Sequence, residues 1–494
     1  MRVLIAACAA VMALGVWAPA AAAPDTRLID AVRAGDEPAV RALLARKAVN
    51  VNEPAADGTT ALHWAARADQ VPTMRALLTA GANPNAATAL GVSPLLLAVT
   101  NGSAQATGLL IEGGASPGAP LPGGQTVLMH AARAGHADVV RLLLRQGAVV
   151  DVAESSMGET ALMWAAAEDH AAVVEMLAAS GADVRARSRV MAFSRQKFGD
   201  GRSARFTVLP RGGWTALMYA ARQNAPAAVR ALAAAGADLN ATDPDGTTAL
   251  TVAVINAHYD LAALLLDLGA NPNVADHTGM TPLYAAVDMH TVDETPGRPA
   301  PVASGALAVP DLIARLLARG ADPNPRLKTP ILERVHNNPD GTLGEGATPL
   351  MRAARKGDLS LMRALLDGGA DPAARTARGA TPLLYLAGFG GLGRFGEYDL
   401  SRATDVEFAE GMRLVLDRGA SLAEADETGQ TALHMAAAQR DETVVRLLLE
   451  RGARPDAADT QGRTPLDVAM GRGGRVRGGA APVRTKIADL LRAP

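Results

Sequence analysis

The chain has 494 residues and a formal net charge of −2 at pH 7. It is too long for a single globular core, since such cores stop growing at roughly 250 to 300 residues. It therefore consists of several domains or of a repeat array. The near-neutral charge creates no whole-molecule field that would attract nucleic acid or acidic lipid. Aromatic residues make up only 3% of the chain, which favours many small helix contacts over one deep core.

The N-terminal segment has the pattern of a secretory signal. Arg2 supplies an early positive charge, an apolar run follows, and small residues precede Pro24. The apolar run is shorter than the roughly 20 residues that a membrane-spanning helix needs. We therefore predict a signal peptide over residues 1–23, export to the bacterial periplasm or beyond, and no membrane span after cleavage. The single cysteine, Cys8, lies in this segment, so we expect no disulfide or thiolate metal site in the exported chain.

A short motif, Thr-Pro-Leu or Thr-Ala-Leu or a close variant, recurs along the chain. Its first residues are Thr26, Thr60, Ser93, Thr126, Thr160, Thr215, Thr248, Thr281, Thr348, Thr381, Thr431 and Thr464. Most successive intervals are 33 or 34 residues, and the longer ones fit this spacing once insertions are removed. A constant interval of this size is typical of a repeat architecture.

Each repeat predicts a pair of helices. The Thr or Ser hydroxyl can cap the first helix, and the Pro or Ala that follows is a good first helical residue. A leucine two residues after the Thr, such as Leu62, should be buried, and a second helix with paired leucines follows. A glycine stands 21 residues after the Thr in the uninterrupted repeats, where it fits the left-handed position that closes a helix. These glycines are Gly81, Gly114, Gly147, Gly181, Gly236, Gly269, Gly369 and Gly452.

The segments TALHWAA at 60, TALHMAA at 431 and GADLNATD at 236 resemble the ankyrin-repeat family. The resemblance implies an all-α ankyrin-repeat solenoid of about twelve helix-turn-helix repeats with β-hairpin fingers. It also implies a concave surface that binds other macromolecules. We predict an ankyrin-repeat domain over residues 24–494, with a C-terminal cap at 464–494.

Four insertions interrupt the array, near 184–211, 288–310, 325–346 and 388–404. The first and third lengthen fingers, whereas the second and fourth separate the two helices of a repeat. Long excursions from a regular scaffold are where function concentrates. The first insertion is rich in arginine, and its candidate anion-binding residues are Arg195, Lys197, Arg202 and Arg205. The alternative is a solvated hairpin.

Residues with catalytic or metal-binding chemistry have simpler interpretations. His63 and His434 occupy the fourth position of the TALH motif, which indicates a structural role. Residues 388–393 match GxGxxG, but outside the strand-to-helix context in which that motif binds a dinucleotide. We expect no enzyme activity, catalytic residue, metal or cofactor. An enzyme whose acid and base groups converge from the insertions is the remaining alternative.

The fourth, seventh and eighth residues after each Thr should lie on the exposed, concave side of the first helices. Several are aromatic residues or arginines, the types that dominate binding hot spots. The predicted partner-binding residues are Trp64, Arg67, His130, Arg133, Trp164, Tyr219, Arg222, Arg352, Arg355 and Tyr385. The alternative is that the aromatic residues pack on the neighbouring repeat.

The sequence therefore predicts a non-catalytic protein-binding scaffold that acts outside the cytoplasm, as a monomer and without a nucleic-acid partner. The alternative is a binder of an anionic ligand or polyanion through the arginine-rich finger at 185–211. The sequence does not identify the partner.

Overall fold

In the computed structural model, the described residues are 25–47, 49–191, 212–291, 302–329, 343–389, 403–472, 475–476, 479–480 and 484–492. The predicted signal peptide and much of the four predicted insertions lie outside them. The chain divides into two compact units, Met1–Val149 and Val150–Pro494. No helix in the described ranges is long and apolar enough to cross a membrane.

The first unit contains four helix pairs. Their bounds are α1 (Arg27–Arg33), α2 (Glu37–Ala45), α3 (Ala61–Arg67), α4 (Val71–Thr79), α5 (Pro94–Thr100), α6 (Ala104–Glu112), α7 (Val127–Arg133) and α8 (Ala137–Arg145). The first helices of consecutive pairs contact one another, and the second helices do so as well. The unit is therefore a stack of helix pairs, which is the solenoid arrangement that the resemblance implies.

The second unit is also built from stacked helices. Its helices are α9 (Ala161–Ala167), α10 (Ala171–Ala179), α11 (Ala216–Arg222), α12 (Pro226–Ala234), α13 (Ala249–Ile255), α14 (Tyr259–Asp267), α15 (Pro282–His290), α16 (Val309–Ala318), α17 (Pro349–Lys356), α18 (Leu359–Asp367), α19 (Pro382–Ala387), α20 (Asp405–Asp417), α21 (Ala432–Gln439), α22 (Glu442–Glu450), α23 (Pro465–Ala469) and α24 (Thr485–Arg492). A two-stranded antiparallel ribbon, β1 (Arg475–Val476) and β2 (Gly479–Ala480), precedes the last helix.

The repeat threonines start the first helices as predicted. In most repeats the hydroxyl accepts a hydrogen bond from the backbone N–H three residues later, which satisfies one of the free amides of the first turn. The residues that do so are Ser93, Thr126, Thr160, Thr248, Thr281, Thr348, Thr381 and Thr464. Thr60 and Thr431 instead form reciprocal capping boxes with His63 and His434.

The glycines that close the second helices have the left-handed backbone that their spacing predicts. Their φ angles run from 81° at Gly147 to 101° at Gly269. A side chain other than glycine's is disfavoured by roughly 1–2 kcal/mol in this conformation. The first repeat has Lys47 at this point, with φ 49°, so at this position it carries a backbone strain that the repeats with glycine avoid.

The core of each unit runs between the stacked helices. The predicted inward leucines, such as Leu62 and Leu128, are 1% exposed, and the second helices contribute fully buried residues such as Leu77 and Leu143. One helix pair cannot bury its apolar face alone, so stability comes from contact with the neighbouring repeats.

The predicted hairpin fingers are short reversals of the chain in the described residues. In one of them the Asp243 N–H donates to the carbonyl of Thr247 at 2.9 Å. In the same finger, Thr242 and Thr248 form an isolated antiparallel β-bridge. Consecutive fingers are joined by single backbone hydrogen bonds, such as His277 N–H to Asp245 O at 2.9 Å.

Asparagines after the second helices form a further ladder between repeats. Asn273 donates from Nδ2 to Gly320 O at 2.8 Å and accepts from the Asp322 N–H at 2.7 Å. Asn52 makes the equivalent pair of bonds to Gly81 and Asn83. The partners of Asn273 lie 47 and 49 residues away, whereas those of Asn52 lie 29 and 31 away. The hydrogen bonds between adjacent repeats are therefore the same whether or not the repeat contains a long connection such as that between α15 and α16.

Candidate functional site

The fourth and seventh residues after each repeat threonine line what we call the first-helix surface of each unit. Eight of the ten predicted binding residues are exposed or half-buried on it. They are Trp64, Arg67, His130, Arg133, Trp164, Tyr219, Arg222 and Arg355. Arg352 and Tyr385 are buried, at 6% and 1% exposure, so the prediction that they lie on an exposed face is wrong.

Three aromatic side chains belong to a cluster on the second unit: Trp164 in α9, Tyr219 in α11, and Trp214 directly before Thr215. Trp164 is linked to Tyr219 through Glu159, which accepts a hydrogen bond from the Trp164 indole N–H and lies beside the Tyr219 phenol. The rings of Trp214 and Tyr219 meet edge to face, with centroids 5.6 Å apart and planes at 69°. All three residues are half-buried. The guanidinium carbon of Arg222 lies 5.5 Å from the Trp214 ring centroid. We call the three aromatic residues and Arg222 the aromatic cluster.

Two carboxylates accept hydrogen bonds from the aromatic cluster. Trp164 Nε1 donates to Glu159 Oε2 at 2.8 Å, and Trp214 Nε1 donates to Asp243 Oδ2 at 3.3 Å. Burial raises the pKa of Tyr219, and the negative Glu159 nearby raises it further, so this phenol is neutral at physiological pH. The two hydrogen bonds to carboxylates satisfy the indole N–H groups of Trp164 and Trp214. The rings themselves remain half-buried, as is common for aromatic residues at interfaces.

A contact with a spacing of five residues builds this surface. The residue before the repeat threonine touches the residue four positions after it, as in Glu159 with Trp164 and Trp214 with Tyr219. In the first unit, His130 Nε2 lies 3.1 Å from Gln125 Oε1. Burial lowers the pKa of His130, and the neighbouring Arg133 lowers it further.

Trp214 and Glu159 were not among the predicted binding residues, because each lies directly before a repeat threonine and the prediction used only positions after it. The signal that could have found them is the five-residue spacing between a polar or aromatic residue and the side chain at the fourth position.

The first unit presents a different arrangement around Trp64. The guanidinium carbon of Arg33 lies 4.6 Å from the ring centroid, and that of Arg67 lies 5.4 Å from it. Arg33 was not among the predicted binding residues. Its place seven residues after Thr26, equivalent to that of Arg67 after Thr60, is the signal that identifies it.

Arg352 is buried because it reaches the end of the preceding first helix. Its side chain contacts Asp288 at 3.2 Å and donates from Nε to Thr291 Oγ1 at 2.8 Å. Asp288 is itself 2% exposed. A guanidinium in such surroundings is stable only when it is paired and hydrogen-bonded, so Arg352 joins two repeats instead of facing a partner.

Tyr385 is buried because the chain beyond α19 turns back over its ring. Gly388 ends this helix in the left-handed conformation, and Phe389 packs edge to face on Tyr385 with centroids 5.2 Å apart. The half-buried Arg355 also contacts Phe389, because its Nη1 donates to the Phe389 carbonyl oxygen at 3.5 Å. Gly388 is thus a helix cap, while most of the GxGxxG segment lies outside the described residues.

The arginine-rich finger is described only in part. Arg187 donates to Gly213 O at 2.9 Å and to Thr242 O at 2.6 Å, and Arg189 donates to Ser155 O at 2.6 Å. These two arginines therefore tie neighbouring fingers together. The four anion-binding candidates, Arg195, Lys197, Arg202 and Arg205, lie outside the described residues, so that hypothesis stays a prediction.

The capping histidines have the structural role that their position indicates. His63 Nδ1 accepts from the Thr60 N–H at 3.1 Å, and its Nε2 therefore donates to Val92 O at 3.0 Å. His434 repeats this geometry with Thr431 and Arg463. Burial lowers the pKa of His63, which keeps the ring neutral. Across the described part of the chain, no three His, Cys, Asp or Glu side chains are grouped to hold a metal ion.

Family profiles match most of the chain. The profile described as "Ankyrin repeats (3 copies)" matches residues 28–120, 95–188, 217–293 and 400–477, and "Ankyrin repeats (many copies)" matches 331–386. Since the first profile alone covers more than half of the sequence, the chain belongs to the ankyrin-repeat family. Proteins built from these repeats are protein-binding scaffolds, and this is the class that the fold defines.

Characterised relatives share the repeats and not the whole protein. The chain is 33% identical to the bovine (Bos taurus) mitochondrial disaggregase over 180 residues, 36% of this chain and 22% of that protein. It is 35% identical to the Drosophila melanogaster Neurogenic locus Notch protein over 28% of this chain and 4% of that one. The mouse (Mus musculus) B-cell lymphoma 3 protein homolog is 28% identical over 36% of this chain and 33% of that protein.

The chain thus spans a third or less of the length of these relatives. Among solved structures, the human ASB11 ankyrin repeat domain aligns with a TM-score of 0.40 and 27% identity, over 50% of this chain and 98% of that one.

Proposed function

We propose that this protein is a non-catalytic scaffold that acts outside the cytoplasm and binds a partner protein through its first-helix surface. The observation that carries the proposal is the aromatic cluster of Trp164, Trp214, Tyr219 and Arg222. Tryptophan, tyrosine and arginine are enriched among the residues that dominate binding energy. They are gathered here on one surface of stacked helices whose buried residues are mostly alanine, leucine, valine and methionine.

The geometry of the cluster supports binding more than stability. Its rings are only half-buried, so a partner could bury further aromatic area on contact. Hydrogen bonds from both indoles to carboxylates hold the rings in place before binding. Preorganised side chains lose less entropy when a complex forms.

Affinity capture tests the binding proposal. We expect the double variant Trp164→Ala/Tyr219→Ala to lose the partner that the unaltered protein captures, with at most a modest fall in thermal stability, because both residues are half-buried. The matched control is Glu175→Ala/Arg230→Ala, which changes exposed residues on α10 and α12, the second helices of the same two repeats.

Equal loss of capture by the control pair would show that the aromatic cluster is not the binding site. A large fall in thermal stability of the aromatic variant would instead identify Trp164 and Tyr219 as packing residues.

The proposed location rests on residues 1–23, which combine an early arginine, an apolar run and small residues. Cell fractionation with N-terminal sequencing of the mature protein tests it. We expect an extracytoplasmic product that starts at Ala23 or Pro24, as cleavage after Ala22 or Ala23 would give. A cytoplasmic product that retains these residues would contradict the proposed location and leave the binding proposal in place.

A further inference from the structure

Arg33, Trp64 and Arg67 form an arginine–tryptophan triad on the first-helix surface of the first unit. Arg33 is the last residue of α1 and Arg67 the last of α3, and these helices are in contact. Both guanidinium carbons lie within 5.4 Å of the Trp64 ring centroid. Both arginines are exposed, and Trp64 is half-buried.

The two guanidinium groups of the triad have no carboxylate partner in the part of the chain that the structure describes. Some other arginines of the same unit do pair with a carboxylate. Arg27 pairs with Asp25 at 2.6 Å, and Arg141 pairs with Asp138 at 2.5 Å. Asp30, the acidic residue of α1, accepts a hydrogen bond from Thr26 instead. The triad therefore holds two positive charges that no described carboxylate neutralises.

The surroundings of the triad hold these charges in place. The face of the half-buried Trp64 ring attracts both guanidinium groups, and this restricts the rotation of the two long side chains. The backbone beside the triad is tied to neighbouring repeats as well. Gln70 donates to Val32 O at 3.1 Å, and Asn101 donates to Arg67 O at 2.8 Å. The triad is thus a pair of ordered cations on a fixed backbone, which lowers the entropic cost of binding an anion.

We propose that the triad binds a carboxylate of an acidic segment in the partner protein, an inference that rests on the proposed binding function. A guanidinium presents a planar set of N–H donors that matches a carboxylate in a two-pronged hydrogen bond. The Trp64 ring adds apolar area beside the charged contact. An aspartate or glutamate side chain, with its carboxylate and its short apolar stem, fits both features.

The charge distribution favours an acidic protein segment over a nucleic acid. Nucleic-acid binding depends on many cations that neutralise successive phosphates. Here the formal charge of the whole chain is −2, and Arg27, Arg41 and Arg141 of the same unit pair with acidic residues. Two unneutralised guanidinium groups suit one or two carboxylates.

A peptide-binding measurement tests this inference. The probe is a fluorescein-labelled peptide, (Glu-Gly-Asp-Ser) repeated three times, and its amide counterpart has Gln and Asn in place of Glu and Asp. We expect fluorescence anisotropy with the purified protein at low salt to show binding of the acidic peptide and at least ten-fold weaker binding of the amide peptide. The double variant Arg33→Gln/Arg67→Gln should weaken binding of the acidic peptide at least ten-fold, because both ligands of the carboxylate are removed.

The matched control is Arg75→Gln, which removes an exposed arginine of α4 in the same unit and should leave binding within two-fold. Circular dichroism of each variant shows whether the fold is retained. The inference is overturned if the double variant binds the acidic peptide as the unaltered protein does, or if Arg75→Gln weakens binding equally. Binding of heparin or polyphosphate that requires Arg33 and Arg67, without binding of the acidic peptide, would overturn it in favour of a polyanion site.

Capture of the native partner separates this inference from the proposed function. Capture that is lost in Trp164→Ala/Tyr219→Ala but unchanged in Arg33→Gln/Arg67→Gln would overturn the acidic-segment inference and leave the proposed function in place. Loss of capture in the arginine variant, restored by Arg33→Lys/Arg67→Lys in part only, would support it, because lysine keeps the charge but lacks the planar set of donors.

Discussion

Trp164 and Arg352 occupy the same place in their repeats, four residues after a capping threonine, yet they lie in different surroundings. Trp164 and its counterpart Tyr219 are half-buried beside carboxylates of the neighbouring fingers. Arg352 and its counterpart Tyr385 are buried, against Thr291 and Phe389 respectively. A position in a repeat therefore fixes the direction of a side chain and not its exposure.

The difference arises from the connection between the two helices of a repeat. In the repeats of Trp164 and Tyr219, this connection is a short turn, as between α9 (ending at Ala167) and α10 (starting at Ala171). In the repeat before Arg352 and in the repeat of Tyr385, the connection is long, and its first residues include Thr291 and Phe389. These residues supply the hydrogen bond and the ring that cover the first-helix surface there.

The largest expected effect comes from breaking the buried ion pair. Arg352→Leu removes the guanidinium that contacts the 3%-exposed side chain of Asp288 at 3.2 Å. We expect the free energy of unfolding of the surrounding repeats to fall by about 3 kcal/mol, because loss of one partner of a buried pair is costly. Chemical denaturation followed by circular dichroism measures it. In the aromatic cluster, Arg222→Leu should change the free energy of unfolding by less than about 0.5 kcal/mol. A loss equal to that of Arg352→Leu would contradict the difference between the buried and the exposed arginine.

The two tyrosines give a second, smaller contrast. Tyr385→Ala opens a cavity against Phe389 in the core, and we expect a loss of about 3 kcal/mol or slightly less. Tyr219→Ala removes a half-buried ring, and we expect a loss of about 1 kcal/mol. Hydrogen exchange of the amides in α19 and α11 would report each effect locally. Similar losses at both sites would mean that Tyr219 is a packing residue that stabilises the contact with the neighbouring repeat.

The smallest expected effect is a pH dependence in the repeat of Arg352. Burial raises the pKa of Asp358, but hydrogen bonds from His290 and from backbone N–H groups of α18 outweigh it, so the pKa lies below its ordinary value of 3.8. The unfolded chain therefore binds this proton more readily, and the stabilisation present above pH 3.8 is lost as the pH falls through the lower folded value.

In a plot of the free energy of unfolding against pH, we expect Asp358→Asn to reduce the slope on the acid side. The reduction should correspond to less than one proton taken up on unfolding. The control is Asp311→Asn, which removes the same single charge from an exposed position on α16; an equal change of slope in this variant would contradict the prediction. An unchanged slope for Asp358→Asn would show that the His290 contact does not hold this carboxylate in its charged form.

Local patterns were sufficient to predict the fold. Threonine caps, buried leucines such as Leu62 and left-handed glycines such as Gly236 depend on residues within one repeat, so their spacing alone specifies them. The candidate site depends on contacts between distant residues. Arg352 meets Thr291 across 61 positions, and no pattern within a repeat indicates that meeting. Trp214 and Arg33 were missed for a related reason, since one lies at the end of a finger and the other in the atypical first repeat.

The asparagine ladder has a consequence for how such a protein can change. Asn273 bonds to Gly320 and Asp322 beyond the long connection in the same way that Asn52 bonds to Gly81 and Asn83 beyond a compact repeat. The hydrogen bonds between repeats therefore do not depend on the length of the connection between the two helices. Evolution can lengthen, shorten or replace the chain between α15 and α16 while the neighbouring repeats keep their register. The same joint is a natural place to graft a foreign loop.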